Sequence, residues 1–499
     1  MKISSYLCII LMRIIICLSF LVIYATNIYA ENNVFSINQS LINNESTPKK
    51  KQDKVLLDAK KPLKQQIDNY KNGNVIFIVE EQIDLCGETI HLPNNSVLYI
   101  SSGLLSNGKI EGLNWHLRAD SFSKIFENIQ ISGMSELDDY YPEWFGAIRN
   151  SRDIDCSFAI NFCLSNFGSC NLHEGTYYIK NPIVMTSYNS IKGKGQGLHG
   201  TYIKKITKNH KTELKTTQNG RDLNKDAILI VAPSDSDPAG RYLYNYVKIS
   251  NLSLIGSSEY GIIASDGRYL YIDDVFVYGC QKGIDIQYSW FIDIRNTQVN
   301  ADYSKNPYKD SYGICIDDLA PYANYTTINI ENCYTQHYHV GYKICNVSYS
   351  TMRCCASDHS IRNAYYIHNC HGLSMIACGN EATKLTSEVN SSAYYFAYSQ
   401  VDLSSSFTAM LAKKSNAKIK ALYKIDKSSS VSIKQCITDD KSKDGKVYVN
   451  NSEVIFEGEK NLPDESNFIV SSNSLVFSFE NICLRDYLKT ASLLIIHEL

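Results

Sequence analysis

The segments KISNL (248–252), YIDDV (271–275), DIRNT (293–297), NIENC (329–333), TMRCC (351–355), SMIAC (374–378), DLSSS (402–406) and SIKQC (432–436) are eight copies of one short pattern. Their central residues, Ile249, Ile272, Ile294, Ile330, Met352, Met375, Leu403 and Ile433, are all apolar. Two positions earlier stand Val247, Leu270, Ile292, Ile328, Ser350, Leu373, Val401 and Val431, apolar in every copy but the fifth. Alternation with a period of two marks a strand buried on one side. The central residues recur at intervals of 22 or 23 for most pairs, and Ile294 to Ile330 spans 36, one period plus an insertion. Such a period predicts stacked coils, each strand pairing with its copy in the next. A second pattern about half a period on, in YGIIA, KGIDI, YGICI, VGYKI and AYYIH, implies at least two strands per coil.

Two residues past each central position come Asn251, Asp274, Asn296 and Asn332, followed in later copies by Cys354, Ala377, Ser405 and Gln435. This column reads as a ladder of side-chain amides at a bend, a structural device. The next column holds Cys333, Cys355, Cys378 and Cys436. Coils about 4.8 Å apart would bring these within disulfide reach, but thiols packing as small apolar groups fit a strand interior better.

The whole chain, 499 residues with 44% hydrophobic content and only 10 prolines against 36 tyrosines, can bury a large β-rich core. With 49 basic and 51 acidic residues there is no basic stripe to neutralise a phosphate backbone, so a nucleic-acid partner is not expected. The apolar run from Tyr6 to Tyr24 and the Ile28-Tyr29-Ala30 that follows fit a secretory signal over 1–30, with Met12 as an alternative start and an uncleaved anchor as the alternative reading. Secretion, or placement in the periplasm or on the cell surface, with no membrane span once the signal is removed, is the expectation. Residues 31–73 read as a polar linker with a short helix, 74–145 as a β-rich block, 146–440 as the stacked coils, and 441–499 as last coils or a C-terminal cap.

LPNNSVL and SNGKIEG, then PEWFGA, an acidic residue before a short helix from Asp155 to Phe167, then HEGTYYI and SIKGKGQG, form a succession that resembles the right-handed parallel β-helix proteins of the pectate lyase superfamily. With LPNNSVL ahead of it, the succession is similar to the version exported by gut-type Bacteroidetes. The resemblance implies an all-β fold, a single right-handed parallel β-helix with a short helix capping its N-terminal end. It also implies that Gly193 to Gly197 open the first coil. The chain departs from the family pattern after PEWFGA, where Ile148 to Asp153 replace the usual Gly-Asp-Gly and Asp-Asp-Thr run. Polysaccharide-active members bind their substrate along an outer sheet.

Strand parity selects the outward columns: Lys248, Tyr271, Asp293, Asn329 and Thr351 in one, Ser250, Asp273, Arg295, Glu331 and Arg353 in the other. From strand spacings Asp293 should lie about 8 Å from both Asp273 and Glu331, within the separation that lets one carboxyl protonate a glycosidic oxygen while another activates water. Asp273, Asp293 and Glu331 are therefore the candidate catalytic residues, and Lys248, Tyr271, Arg295 and Arg353 the candidate substrate-binding ones. Alternating signs up the column are equally a salt-bridge ladder. The function expected is a polysaccharide hydrolase, or else a lyase using a cation against a uronate, with a non-catalytic glycan-binding or adhesion protein as the alternative. The loop from Asn300 to Tyr312 is expected to overhang the site, and the polar stretch 204–226 to wall a groove.

No cofactor or metal is expected. The glycine phrase lacks the Lys-Ser/Thr and strand–helix setting of a phosphate loop. His337 and His339, read as sharing one side of a strand, have no third ligand at a metal spacing. The partner expected is a polysaccharide or other glycan, in an oligomeric state the sequence does not reveal.

Overall fold

A computed structural model describes residues 53–479, apart from 71–73, 136, 138, 209–213, 215, 218, 235–240, 305–308, 317–324, 415–419 and 459–466. The expected signal over 1–30, most of the linker and the closing residues 480–499 lie outside the described residues.

The eight copies stack as their alignment requires. Ile249 pairs with Ile272, Ile272 with Ile294, Ile294 with Ile330, and Ile330 with Met352. Met352 then pairs with Met375, Met375 with Leu403, and Leu403 with Ile433, every strand pair being parallel. All these side chains are buried. Ser350, the polar exception, is buried too: its hydroxyl accepts from the Ile328 amide at 3.2 Å and donates to the Ser348 carbonyl at 2.9 Å. Thirty strands form one sheet that winds through the coils, and it continues past Asp440 through Lys446–Asn450, Glu453–Glu457, Phe468–Val470 and Leu475–Phe479.

The coils of the repeat have three strands, within the expectation of at least two. One holds the repeat just described. A short one follows, such as Gln298–Asn300 or Tyr334–Gln336, and a third carries the YGII-like pattern, such as Tyr312–Ile316 or Val340–Cys345. The bend after the first strand explains the Asn column. Asn251, Asp274, Asn296, Asn332, Cys354, Ala377, Ser405 and Gln435 all have φ between 49° and 57°. Asn and Asp tolerate this left-handed region best among residues with a side chain. An amide ladder forms over part of the column: Asn332 Nδ2 donates to Asn296 Oδ1 at 2.8 Å, and Asn296 Nδ2 turns to Asp273 Oδ1 at 2.9 Å.

The thiols of Cys333, Cys355 and Cys378 are free and buried. They donate to the carbonyls of Ile294, Ile330 and Met352 one coil back, at 3.4–3.5 Å. Gly261, Gly283, Gly313 and Gly341 form an inward column in the third strand, where neighbouring chain passes too close for a side chain. A Cβ on Gly313 would lie 2.6 Å from Thr335 Cγ2 and 2.7 Å from the Gly341 carbonyl oxygen. We expect Gly313→Ala to destabilise by about 1–3 kcal/mol through overpacking, read as a lowered thermal midpoint.

A second set of seven strands, Asp53–Leu56 through Phe126–Met134, precedes these coils, and its pairings are also parallel. It starts at Asp53, inside the stretch expected to be linker, because Asp53–Leu56 pairs with Val75–Val79. Helix α1 (Leu63–Asp68) lies between them in sequence. Helix α2 (Ser157–Phe167) begins just after Asp155, whose Oδ1 accepts from the Ser157 amide at 3.1 Å and hydroxyl at 2.6 Å. Its buried Ala159, Ile160, Cys163 and Leu164 join a core cluster that runs from Leu57 to Val476.

Candidate functional site

The outward columns stand as parity requires. Lys248, Tyr271, Asp293, Asn329 and Thr351 pair in succession, and beside them Ser250, Asp273, Arg295, Glu331 and Arg353. Lys248, Tyr271, Asp273, Asp293 and Arg295 line a depression of about 300 Å³ floored by Ile272. Further along the same face a second depression of about 310 Å³ is lined by Ser374, Asp402, Ser432 and Ile455, among others.

The charges in the first depression are engaged with one another. Arg295 Nε bonds Asp293 Oδ1 at 2.7 Å, which raises the guanidinium's pKa, and approaches Glu331 Oε2 at 3.9 Å. Asn329 Nδ2 donates to the same Asp293 oxygen at 2.9 Å. Arg353 Nη1 lies 3.9 Å from Glu331 Oε1, and Asn296 holds Asp273. Two donors on Asp293 Oδ1 leave that oxygen acting as an acceptor, which is how a structural ladder behaves. Among the described residues Glu331 meets just these two cations, each at 3.9 Å.

Asp274, read from sequence as part of the bend ladder, is the carboxyl on this face whose pKa is raised, by burial first and by neighbouring Asp273 second. Gln196 of the glycine phrase donates to its Oδ1 at 3.0 Å. The phrase itself crosses the bend, with Gly193 and Gly195 amides donating to the Ser250 and Asn251 carbonyls.

No protein-family model matches the chain, and no curated protein matches it either. Among solved structures it is similar to the tailspike of an Acinetobacter phage, with a TM-score of 0.57 at 17% identity over 72% of this chain and 67% of that one. It is also similar to a surface adhesin of Streptococcus pneumoniae, with a TM-score of 0.38 at 9% identity over 68% and 90% of the two chains. For endo-xylogalacturonan hydrolase from Aspergillus tubingensis the values are 0.31, 13%, 67% and 98%. The chain has the right-handed parallel β-helix fold.

Two features of this β-helix depart from the sequence expectation about its loops. The fourteen extra residues between Ile294 and Ile330 divide: eight lie between Asn300 and Tyr312 and six between Ile316 and Ile328, as the pairings of Tyr278, Lys282, Ile286 and Ile292 with those four residues show. Residues 305–308 of the first loop lie outside the described residues. This loop leaves from Gln298–Asn300, after the bend at Asn296 has already turned the chain to the next face. The described residues of the stretch 204–226 that pack on the coils do so on another face. Leu214 and Leu223 pack with Ile230, Tyr260 and Ile263, and Arg221 reaches Asp285, all on the third strand's outer side.

That third face carries charge that the sequence reading missed. Arg221 Nη2 bonds Asp285 Oδ1 at 2.9 Å with both side chains nearly fully buried, and Tyr312 donates its hydroxyl to Asp285 Oδ2. Lys205 pairs with Asp226 in the same strap. The signal was available, since Asp285 stands at outward parity in KGIDI.

His337 and His339 do not share a strand side. They fall between Tyr334–Gln336 and Val340–Cys345, His337 at φ 64°, with Tyr338 pointing inward between them. His339 Nε2 meets Glu388 Oε1 at 2.9 Å, while burial lowers the imidazole's pKa.

At the bend that opens the first strand, the aromatic rings of Tyr188, Tyr246, Tyr269 and Phe291 stack coil on coil, with centroids 5.8, 4.3 and 4.8 Å apart. This column borders the face carrying Lys248, Tyr271 and Asp293. Its signal is the aromatic three residues before each central isoleucine.

Proposed function

We propose that this β-helix is an exported protein that binds a glycan along the outer face of its first strands, at Lys248, Tyr271, Asp273, Asp293, Arg295, Glu331 and Arg353. The observation that carries this reading is the depression in which Lys248, Asp273, Asp293 and Arg295 surround Tyr271, continued on the same face by the one over Ser374 and Ser432. A strip of small hydroxyls, carboxylates and cations with an exposed tyrosine at its centre suits a polyhydroxylated ligand, which needs many donors and acceptors and one flat apolar contact. The apolar run from Tyr6 to Tyr24 ahead of Ile28-Tyr29-Ala30 is in keeping with export.

Asp293, with Arg295 and Asn329 on one oxygen, reads as a rung that holds the face rather than as a proton donor. A hydrolytic reading has one observation in its favour: the raised pKa of Asp274 beside Asp273, the direction a general acid needs.

The test is a polysaccharide panel with the purified protein, following binding, new reducing ends and the absorbance of unsaturated uronates together. Tyr271→Ala and Lys248→Ala should weaken binding at least about tenfold, roughly 1.4 kcal/mol, at an unchanged melting midpoint. Asp293→Asn and Glu331→Gln should lower the midpoint more than they lower binding. Release of reducing ends that Asp274→Asn abolishes would replace the binding reading with hydrolysis. Failure of every polysaccharide to bind would end both.

A further inference from the structure

The aromatic column at the opening bend is interrupted. Tyr188, Tyr246, Tyr269 and Phe291 occupy four successive coils, Thr327 takes the next position, Tyr349 the one after, and Gly372 the next. All seven have φ between 50° and 69°, so the backbone presents each in the same way. Within the stack each ring covers its neighbour, with interplanar angles of 18°, 5° and 8°, leaving only edges to solvent. Among the described residues no ring stacks on Phe291 on the Thr327 side. Thr327 is short and exposed, and Tyr349 is 80% exposed.

The geometry points to a one-ring subsite at this missing rung, between Phe291 and Tyr349, that takes a single pyranose of the bound glycan. The inference rests on the glycan reading above. Two coil steps separate the flanking aromatic positions by about 9.5 Å, room for one saturated ring in contact with an aromatic on each side. Pyranose C–H bonds carry the slight positive charge that the negative face of an aromatic ring attracts. Thr327 at the base, with Asn329 and Thr351 two residues along the adjoining strands, supplies hydroxyl and amide groups at the edge of such a ring. Asp293 and Tyr271 lie on the same face, so a glycan in the first depression can place one of its rings in the gap without crossing the solenoid.

Thr327→Tyr would complete the column, and Tyr246 and Tyr269 already occupy the equivalent backbone conformation, so the variant should fold. Hexasaccharides of β-1,4-linked glucose, β-1,4-linked galactose and α-1,4-linked galacturonate serve as probes, read by titration calorimetry and by saturation transfer from aromatic protons. For the tightest of them we expect Thr327→Tyr to weaken binding at least tenfold at an unchanged or higher melting midpoint. Phe291→Leu and Tyr349→Leu, which keep bulk but remove the ring, should each weaken it at least threefold and reduce transfer to the sugar C–H protons. Binding by Thr327→Tyr and both leucine variants within twofold of the parent would overturn the subsite and leave the glycan reading standing. If the parent protein binds none of the three probes, the subsite falls together with that reading. Should Thr327→Tyr not fold, the two leucine variants decide.

Discussion

Arg221→Ala is expected to cost about 3–5 kcal/mol and to free the strap that crosses the third face, because it strands a carboxylate already removed from water. Arg221 Nη2 lies 2.9 Å from Asp285 Oδ1, and its Nη1 donates to the Ala264 carbonyl at 2.7 Å. Without the guanidinium, Asp285 keeps, among the described residues, the Tyr312 hydroxyl and a 3.3 Å contact from Gln287 Nε2. The strap is then held by the Lys205–Asp226 pair, by Asn219 on Asp266 and by the small cluster of Leu214 and Leu223 with Ile230, Ala232 and Ile263. The expected readings are a lowered thermal midpoint and new trypsin cleavage after Lys225 under native conditions. The double variant Arg221→Met with Asp285→Leu should recover most of the loss, since apolar replacement of a buried pair removes both desolvation costs. An unchanged midpoint and a protected Lys225 in Arg221→Ala would show that Tyr312 and Gln287 satisfy Asp285 by themselves.

The asymmetry between the two faces explains what could be read from the chain in advance. The first strand repeats its inward isoleucine with a tight bend two residues later, so a fixed period and a parity of two place Lys248, Asp293 and Arg353 on the outside without any knowledge of the fold. The same parity applied to KGIDI and VGYKI would have put Asp285 and Lys343 outside as well. It could not have revealed that the outside is buried there, because the covering strap comes from about sixty residues earlier in the chain and has no repeat to mark its target. The split of the long coil into two insertions was hidden for a related reason. A total of fourteen extra residues says nothing about which bend holds them until the pairings of both flanking strands are known. The Asn column was legible as a bend, but its cause is the left-handed backbone. That is why Cys354 and Ala377 can follow Asn332 when the amide bonds stop.

Inside the solenoid the most sensitive side chain should be Tyr365, where stacking and hydrogen bonding act on the same ring. It is fully buried between Tyr342 at 5.2 Å and Tyr394 at 5.1 Å, nearly parallel to both. Its hydroxyl reaches the Cys355 carbonyl at 2.8 Å and the Gly379 carbonyl at 2.7 Å, oxygens that belong to two different coils. Burial holds the phenol's pKa well above its ordinary value, so the proton that bridges these carbonyls stays in place as pH rises. Tyr365→Phe keeps the stack and leaves the carbonyls without that donor, an expected loss of about 1–3 kcal/mol. Tyr365→Ala removes the ring as well and opens a cavity between two aromatic faces that the stacked coils cannot close, an expected loss of about 3–5 kcal/mol. Because each coil rests only on its neighbours, the damage should be local. Hydrogen exchange should rise in Val340–Cys345 and Tyr394–Ala397, which flank Tyr365, and stay at the parent's level in Leu104–Ala119. Equal losses for the two variants would mean that the hydroxyl carries the whole effect and that stacking of the tyrosine column adds nothing to the core.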